Sequence, residues 1–341
     1  MTTRLLKASP EAYAEGARLI NAGEVVAFPT ETVYGLGAHA LNPDAVAKIF
    51  AAKGRPGDNP LIVHISRYEQ IYGIISGDVP RQAELLAKEY WPGPMTMILP
   101  KGEKIPPCVT AGLDSVGVRL PASQAARDFI SACAAPVAAP SANLSGKPSP
   151  TTAVHVLNDM NGRIPLIIDG GESDVGLEST VIDARSMPVR VLRPGGVTPQ
   201  MIARVLGEVL VDGSVLRPLA KHETARSPGM KYKHYAPDGS LVIVKGTADA
   251  AAREINALYD NTEGSRCILA FEEHIPLYGE RRVFSLGEDA QTASHRLFDA
   301  LRQMDEMHIN AIFSEAVPAE GLGLALMNRL GRAAAFHIIE V

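Results

Sequence analysis

Apolar stretches of strand length alternate with helix-length stretches along most of this chain, and this alternation constrains the fold strongly. Over residues 1–206 it predicts strands near 24–28, 61–65, 95–100, 116–120, 165–168, 180–183 and 189–192, with helices near 10–22, 43–52 and 124–132. Strands and helices that alternate in this way build domains in which helices cover a sheet. We therefore predict an α/β or α+β first domain, residues 1–206, with a mixed sheet.

A second alternation begins after residue 237. It predicts strands at 241–245, 267–271, 283–286 and 309–313 and helices at 248–259, 290–304 and 322–332. This order suits a smaller, Rossmann-like α/β domain with a parallel sheet, residues 238–341. Gly321-Leu322-Gly323 lacks the full Gly-x-Gly-x-x-Gly pattern, so we interpret it as tight packing at a helix start.

Residues 207–237 form the predicted linker between these domains, because periodicity fades there. The linker ends in cations and aromatic rings, namely Lys231, Tyr232, Lys233, His234 and Tyr235. A plain flexible tether would be richer in glycine and serine. We predict that residues 222–237 dock as a lid over a ligand site, the alternative being a linker merely packed on its neighbouring domain.

Length, hydrophobic content and net charge limit which kinds of protein this chain can be. With 341 residues, 46% of them hydrophobic, the chain can build two packed domains. No apolar run approaches the ~20 residues that span a bilayer, and the start lacks the apolar core of a signal peptide, so we expect a cytoplasmic protein with no membrane contact. The net charge of −5 argues against gripping nucleic acid by bulk electrostatics.

Cysteines and histidines show no metal-binding pattern. Cys108, Cys133 and Cys267 are far apart, and the nine histidines lack tight ligand spacing. We expect reduced, mostly buried thiols and no metal held by protein residues alone. The sequence also has no P-loop and no Gly-x-Ser-x-Gly elbow, which disfavours a P-loop ATPase and a serine hydrolase.

Two pairs of polar residues follow predicted elements. Lys53 and Arg55 come after the helix at 43–52, which Asn42 can cap, and Ser141 and Asn143 follow the apolar run 137–139. If each segment is extended, the members of a pair share one face. Two cations on one face could neutralise a polyphosphate. The alternative for Lys53 and Arg55 is a solvated basic turn, and the alternative for Ser141 and Asn143 is an Asx or Ser turn that closes a loop.

These motifs, in this order, resemble the YrdC-like family in its long two-domain form, over most of the chain. The matching motifs are Lys53-x-Arg55, Ser141-x-Asn143 and the runs at 29–36, 91–96, 116–121, 178–183 and 191–195. The resemblance implies a twisted sheet with a concave, positively charged face. It also implies a nucleotidyltransferase that converts L-threonine, bicarbonate and ATP, with Mg²⁺, to threonylcarbamoyl-adenylate and pyrophosphate.

The resemblance further implies a role for each matching residue. The signature residues would be catalytic: Lys53, Arg55, Ser141 and Asn143. The threonine pocket would contain Thr32, His64, Arg119, Ala139 and Ser179. ATP would contact Arg55, Asn59, Ser115, Ser141, Ser149, Arg193 and Tyr235. A downstream transferase would pass the threonylcarbamoyl group to tRNA, so that tRNA would be only an indirect partner.

Two other functions fit part of the pattern. A non-catalytic RNA-binding or ribosome-associated module could hold a phosphate backbone on a basic face, but the acidic net charge weighs against it. A carbamoyl-transfer enzyme resembles this chain around the same sheet. Such enzymes usually carry zinc-finger cysteines in a larger chain, and this sequence has none in that spacing.

Overall fold

The computed structural model describes residues 2–217 and 235–341, which form two units. The first unit comprises residues 2–145 and 149–215, and the second comprises residues 146–148, 216–217 and 235–341. Most of the predicted lid, residues 222–234, lies outside the described residues.

Strands and helices alternate through the first unit, as the sequence pattern predicts. Its strands are β1 Arg4–Lys7, β2 Val26–Phe28, β3 Gly35–His39, β4 Ile62–His64, β5 Met95–Pro100, β6 Ser115–Arg119, β7 Val137–Ala139, β8 Leu166–Asp169, β9 Thr180–Asp183, β10 Val189–Arg193 and β11 Val209–Val211. Its helices are α1 Pro10–Asn21, α2 Pro43–Lys53, α3 Arg81–Tyr90, α4 Pro107–Thr110, α5 Gln124–Ala132, α6 Ala153–Met160 and α7 Pro199–Leu206.

These strands join one mixed sheet, which confirms the predicted fold class. Its order is β1-β8-β2-β3-β7-β4-β6-β5-β9-β10-β11. Neighbours are parallel in β1/β8, β8/β2, β4/β6, β5/β9 and β10/β11, and the other pairs are antiparallel. Since β4 lies between β7 and β6, His64 at the end of β4 pairs with Val137 and Arg119.

Helices cover both faces of this sheet. Val26 and Phe28 of β2 belong to the core cluster that includes α1 and α5, where the rings of Phe28 and Phe129 lie 5.2 Å apart. Ala27 belongs to the opposite cluster, with Ile49 of α2. Successive side chains of a strand point to opposite faces, so even this short strand supports two cores.

Helix α2 ends where the first signature begins. Asn42 Oδ1 accepts hydrogen bonds from the backbone N–H groups of Asp44 and Ala45 at 3.0 and 3.3 Å, as a predicted N-cap should. Gly54 ends the helix in the left-handed conformation, with φ 61° and ψ 40°. Lys53 is thus the last helical residue. Residues 53–55 are therefore not extended, because Gly54 turns the chain, and the condition under which Lys53 and Arg55 would share one strand face is not met.

The first unit also contains elements that periodicity did not predict: β1, β3, β11, α3, α4, α6 and α7. Two glycines weaken the strand signal of β3. A Cβ at Gly37 would lie 2.6 Å from Val137 and 3.0 Å from the Phe28 ring. Packing against these side chains therefore requires glycine there. Strand β11 lies in the predicted linker and extends the sheet beside β10.

The second unit carries a parallel sheet, as predicted. Its strands are β12 Ser240–Lys245, β13 Arg266–Ala270, β14 Val283–Ser285, β15 Ala311–Glu315 and β16 Ile338–Glu340, and its helices are α8 Ala248–Asn261, α9 Ala290–Glu306 and α10 Leu322–Ala333. Within residues 235–341 the order is β14-β13-β15-β12-β16, and all neighbours are parallel. No helix among the residues described in either unit is both long and apolar enough to cross a bilayer.

Candidate active site

Arg119, the last residue of β6, organises a buried polar cluster in the first unit. Its Nη1 donates to Thr32 Oγ1 at 2.8 Å, its Nη2 to Glu31 Oε1 at 2.6 Å and its Nε to Gly93 O at 3.4 Å. The residue is only 3% exposed. Because a guanidinium holds its five N–H donors in one plane, these three bonds orient the whole group.

Glu31 is the ionic partner of Arg119, and it was not among the predicted site residues. Its Oε2 also accepts from the backbone N–H of Ser123 at 3.3 Å. Burial raises the pKa of Glu31, but the Arg119 charge and further hydrogen bonds outweigh it and hold the pKa below the ordinary value. The carboxylate is therefore ionised. Since arginine is always charged, a buried Arg119 needs such an acidic partner.

His64, beside Arg119 in the sheet, is a neutral group. Burial and then the positive charge of Arg119 lower its pKa from 6.5 to about 3. Its Nδ1 lies 3.2 Å from Ile62 O. A neutral imidazole can serve as a hydrogen-bond partner without adding charge. Ala139, on the adjacent β7, is buried and provides only backbone and a methyl group.

Ser179, directly before β9, belongs to a second group of buried polar residues. Its Oγ lies 2.8 Å from Thr96 Oγ1 and accepts from Arg193 Nη2 at 3.2 Å, and its carbonyl accepts from Arg193 Nε at 3.1 Å. All three residues are buried. The structure therefore brings Ser179 and Arg193 together, although the family resemblance assigned them to different substrates, and it adds Thr96.

Lys53 meets the Ser-x-Asn signature, although the two are far apart in sequence. Its Nζ donates to Ser141 O and Asn143 O, both at 2.6 Å, and lies 3.3 Å from Asn143 Oδ1. Ser141 Oγ donates to the same Oδ1 at 2.5 Å. An ammonium has three donors, and three oxygens of this loop surround it. Lys53 thus holds the loop that contains Ser141 and Asn143 and places a positive charge next to it.

The remaining predicted residues lie at several places in the first unit. Arg55 Nη2 donates to Asn59 O at 3.2 Å. Ser149 Oγ donates to Glu178 Oε1 at 2.5 Å, and Glu178 precedes Ser179 in the chain. Ser115 begins β6, so about 13 Å of strand separates it from Arg119.

Tyr235 belongs to the second unit. It is 4% exposed, with φ 63°, and its ring centroid lies 5.1 Å from that of Phe298 and 6.0 Å from the Arg329 guanidinium carbon. The other aromatic and basic residues of the predicted lid, from 231 to 234, lie outside the described residues.

Three polar residues of these clusters were missed as site residues: Glu31, Thr96 and Glu178. Each lies inside one of the runs that carried the resemblance, at 29–36, 91–96 and 178–183. A buried hydroxyl or carboxylate needs a polar partner, so these neighbours of the predicted residues were the available signal.

The cysteines play no part in these clusters. Cys133 and Cys267 are buried and Cys108 is partly buried, all as free thiols, in agreement with the sequence. Burial raises the pKa of Cys133 to about 12 and that of Cys267 to about 11. Neither thiol is thus ionised at neutral pH, the form in which cysteine acts as a nucleophile.

Two family models match the chain. The Sua5-YciO-YrdC model, described as "Telomere recombination", matches residues 18–195. The model described as "Threonylcarbamoyl-AMP synthase, C-terminal domain" matches residues 197–335.

Similarity to individual proteins extends along nearly the whole length. Threonylcarbamoyl-AMP synthase of Pyrococcus abyssi is 47% identical over 95% of this chain and 94% of that protein, and the Bacillus subtilis enzyme of the same name is 47% identical over 96% and 94%. The crystal structure of P. abyssi Sua5 complexed with L-threonine covers 100% of both chains, with a TM-score of 0.93 and 44% identity.

Proposed function

This chain belongs to the threonylcarbamoyl-AMP synthase family, and from that premise we propose that it converts L-threonine, bicarbonate and ATP to threonylcarbamoyl-AMP and pyrophosphate. The observation that carries this proposal is the convergence of the family signatures in one unit. Lys53 binds Ser141 and Asn143, while Arg119 binds Thr32. These contacts support the proposal of a cationic phosphate site and an amino-acid site.

Arg119 is the proposed partner of the threonine carboxylate. Its contacts with Glu31 and Thr32 hold the guanidinium in one orientation, and its planar fork suits a carboxylate. Thr32, His64, Ala139 and Ser179 complete the proposed threonine pocket. Because His64 is neutral, it can contact threonine without repelling an ammonium group.

ATP is the proposed ligand of the cationic phosphate site. The residues assigned to it are Arg55, Asn59, Ser115, Ser141, Ser149, Arg193 and Tyr235. Catalysis would then rest on positioning and charge stabilisation, which dominate transfer at phosphorus. Lys53 contributes by holding the loop of Ser141 and Asn143, and its charge offsets that of the phosphates.

The proposed reaction has two steps. The threonine amine attacks bicarbonate, a C–N bond forms as a C–O bond of bicarbonate breaks, and water leaves to give a carbamate. A carbamate oxygen then attacks the α-phosphorus of ATP. The new P–O bond forms as the bond to the β-phosphate oxygen breaks, and pyrophosphate departs with that electron pair.

Mg²⁺ is proposed to accompany ATP, where it would neutralise charge on the leaving pyrophosphate. Among residues 2–217 and 235–341, no group of three histidine, cysteine or acidic side chains is arranged to hold a metal. Magnesium ions at sites that use ATP are bound mainly by substrate phosphates and water, with one or two carboxylates.

We keep tRNA as an indirect partner, reached through a downstream transferase, and the cytoplasm as the location. The acidic net charge supports an indirect route, since direct binding of a phosphate backbone relies on clustered lysine and arginine. The named relatives are enzymes, which favours catalysis over a non-catalytic RNA-binding module.

Pyrophosphate release tests the proposed reaction. We expect release only when ATP, L-threonine and bicarbonate are all present. Serine should be a weaker substrate, but only modestly, because one methyl contact contributes about 1–3 kcal/mol. Equal turnover after rigorous removal of bicarbonate would refute the carbamate route, and turnover without an amino acid would refute the synthase assignment.

A further inference from the structure

The second unit includes three residues from the middle of the first unit's sequence. We infer that it uses them to position the residues on either side, Asn143 and Ser149, for the reaction of ATP. Residues 146–148 belong to the second unit, whereas residues 145 and 149 belong to the first. They lie in sequence between Asn143 and Ser149, both assigned to the ATP reaction above. The inference therefore rests on the proposed function.

Lys147 makes the central contacts of this segment. Its Nζ lies 2.7 Å from Asp238 Oδ1 and 3.1 Å from Asp305 Oδ2. Burial lowers the pKa of Lys147, but the hydrogen bonds to the two carboxylates outweigh burial and raise it above the ordinary value. Asp305 is also tied to the backbone, since its Oδ1 accepts from Asp238 N at 2.6 Å. An isolated exposed ion pair contributes little, whereas this cation is shared by two carboxylates.

The residues on either side of Lys147 are held through their carbonyl groups. Gly146 O accepts from Ala236 N at 3.0 Å, and Pro148 O accepts from Arg302 Nη2 at 2.6 Å. Arg302 and Asp305 lie three residues apart on α9, so they share one side of that helix. Helix α9 thus supplies a guanidinium and a carboxylate to a three-residue segment.

The flanking residues are held separately within the first unit. Ser145 N donates to Lys53 O at 3.0 Å, and Ser149 Oγ donates to Glu178 Oε1. Residues 145–149 are consecutive, so the contacts of residues 146–148 in the second unit directly adjoin those of residues 145 and 149 in the first unit. Releasing Lys147 therefore loosens the few residues that lead to Asn143 on one side and Ser149 on the other. Lys147, Asp305 and Arg302 act as positioning residues for ATP rather than as contacts of ATP.

Steady-state kinetics of the full chain test this role by comparing KM for ATP with KM for threonine. Lys147→Met and Asp305→Asn should each raise KM for ATP about tenfold, the effect of losing one charge-assisted hydrogen bond. KM for threonine should not change, because the Arg119 contacts remain. Lys147→Arg keeps the cation and should stay near wild type. The double variant should be no worse than the worse single variant, since both changes remove one contact.

Asp260→Asn is the matched control. Asp260 pairs with Arg281, also in the second unit, and this change should leave both KM values as they are. The inference fails if folded Lys147→Met and Asp305→Asn chains keep the wild-type KM for ATP. It also fails if both KM values rise together while the thermal midpoint falls, which indicates a purely structural role.

Lys147→Met decides the matter if Asp305→Asn does not fold, because the Lys147 side chain is 32% exposed and its removal leaves no cavity in a core. The proposed function itself would fail on a different result, namely that the wild-type chain releases no pyrophosphate in response to threonine and bicarbonate.

Discussion

At the scale of single residues, the candidate site depends on charges that are buried and paired. Arg119 and Glu31 have side chains that are 4% and 6% exposed and lie 2.6 Å apart. Removing one partner from such a pair is strongly destabilising, because the other charge is left buried without compensation. Glu31 should therefore matter for both stability and threonine binding, although it was not predicted to touch threonine.

Glu31→Gln tests this role. We expect a loss of about 3 kcal/mol in the free energy of unfolding, because the variant keeps the shape but removes the charge that compensates Arg119. KM for threonine should rise more than KM for ATP, since the guanidinium loses one of its anchors. Urea denaturation and pyrophosphate kinetics measure the two effects.

Glu15→Gln is the control for that variant. Glu15 pairs with Arg18 on the surface of the first unit, where solvent screens the interaction, so its loss should change stability little. If Glu31→Gln were no more destabilising than Glu15→Gln, the buried pair would not have the importance assigned to it.

At the scale of elements, the position of Lys53 depends on how helix α2 ends. Asn42 caps one end, and Gly54 closes the other in the left-handed region with φ 61°. A residue with a Cβ is strained there even though a Cβ at Gly54 meets nothing within 4 Å. The cost of a substitution thus comes from the backbone alone.

Gly54→Ala should lower the free energy of unfolding by about 1 kcal/mol. Turnover should fall by a larger factor than this loss implies, because any relaxation of Gly54 moves Lys53 away from Ser141 and Asn143. Gly73→Ala is the control, since a Cβ there also meets nothing within 4 Å but its φ is not positive. Equal stability of the two variants would contradict the role of the helix end.

At the scale of the whole molecule, the buried titratable groups make the fold sensitive to acid. The pKa of His64 falls from 6.5 to about 3 on folding, so between these values the unfolded chain binds a proton that the folded chain does not. Stability is therefore present above pH 6.5 and is lost as the pH falls towards 3. Glu31, whose pKa is also lowered, adds a loss of the same sign below its ordinary value of 4.5.

We expect the free energy of unfolding of the first unit to decrease steadily from pH 6.5 to pH 4.5, where His64 is the group responsible. His64→Gln should flatten this slope, because glutamine does not titrate. His337→Gln, at an exposed histidine of the second unit, should leave the slope unchanged. Denaturant titrations at several pH values measure it, and an identical slope in His64→Gln would contradict the assignment.

Much of the fold was predictable because its signals are local. Helix α5 matches its predicted bounds, Asn42 caps α2, and the alternation after residue 237 predicted the parallel sheet. Other elements were missed. Strand β3 contains two glycines, and β11 is a three-residue strand inside the predicted linker.

The sequence by itself determined many of the individual elements, the mixed and parallel character of the two sheets, and the residues of the family signatures. It could do so because caps, periodicity and motif order are properties of neighbouring residues. Only the tertiary structure decided that Lys53 binds the carbonyls of the Ser141 loop, that Glu31 neutralises Arg119, and that residues 146–148 belong to the second unit. The physical reason is that a buried charge takes its partner from whatever the fold brings near, and that choice is made between segments remote in the chain.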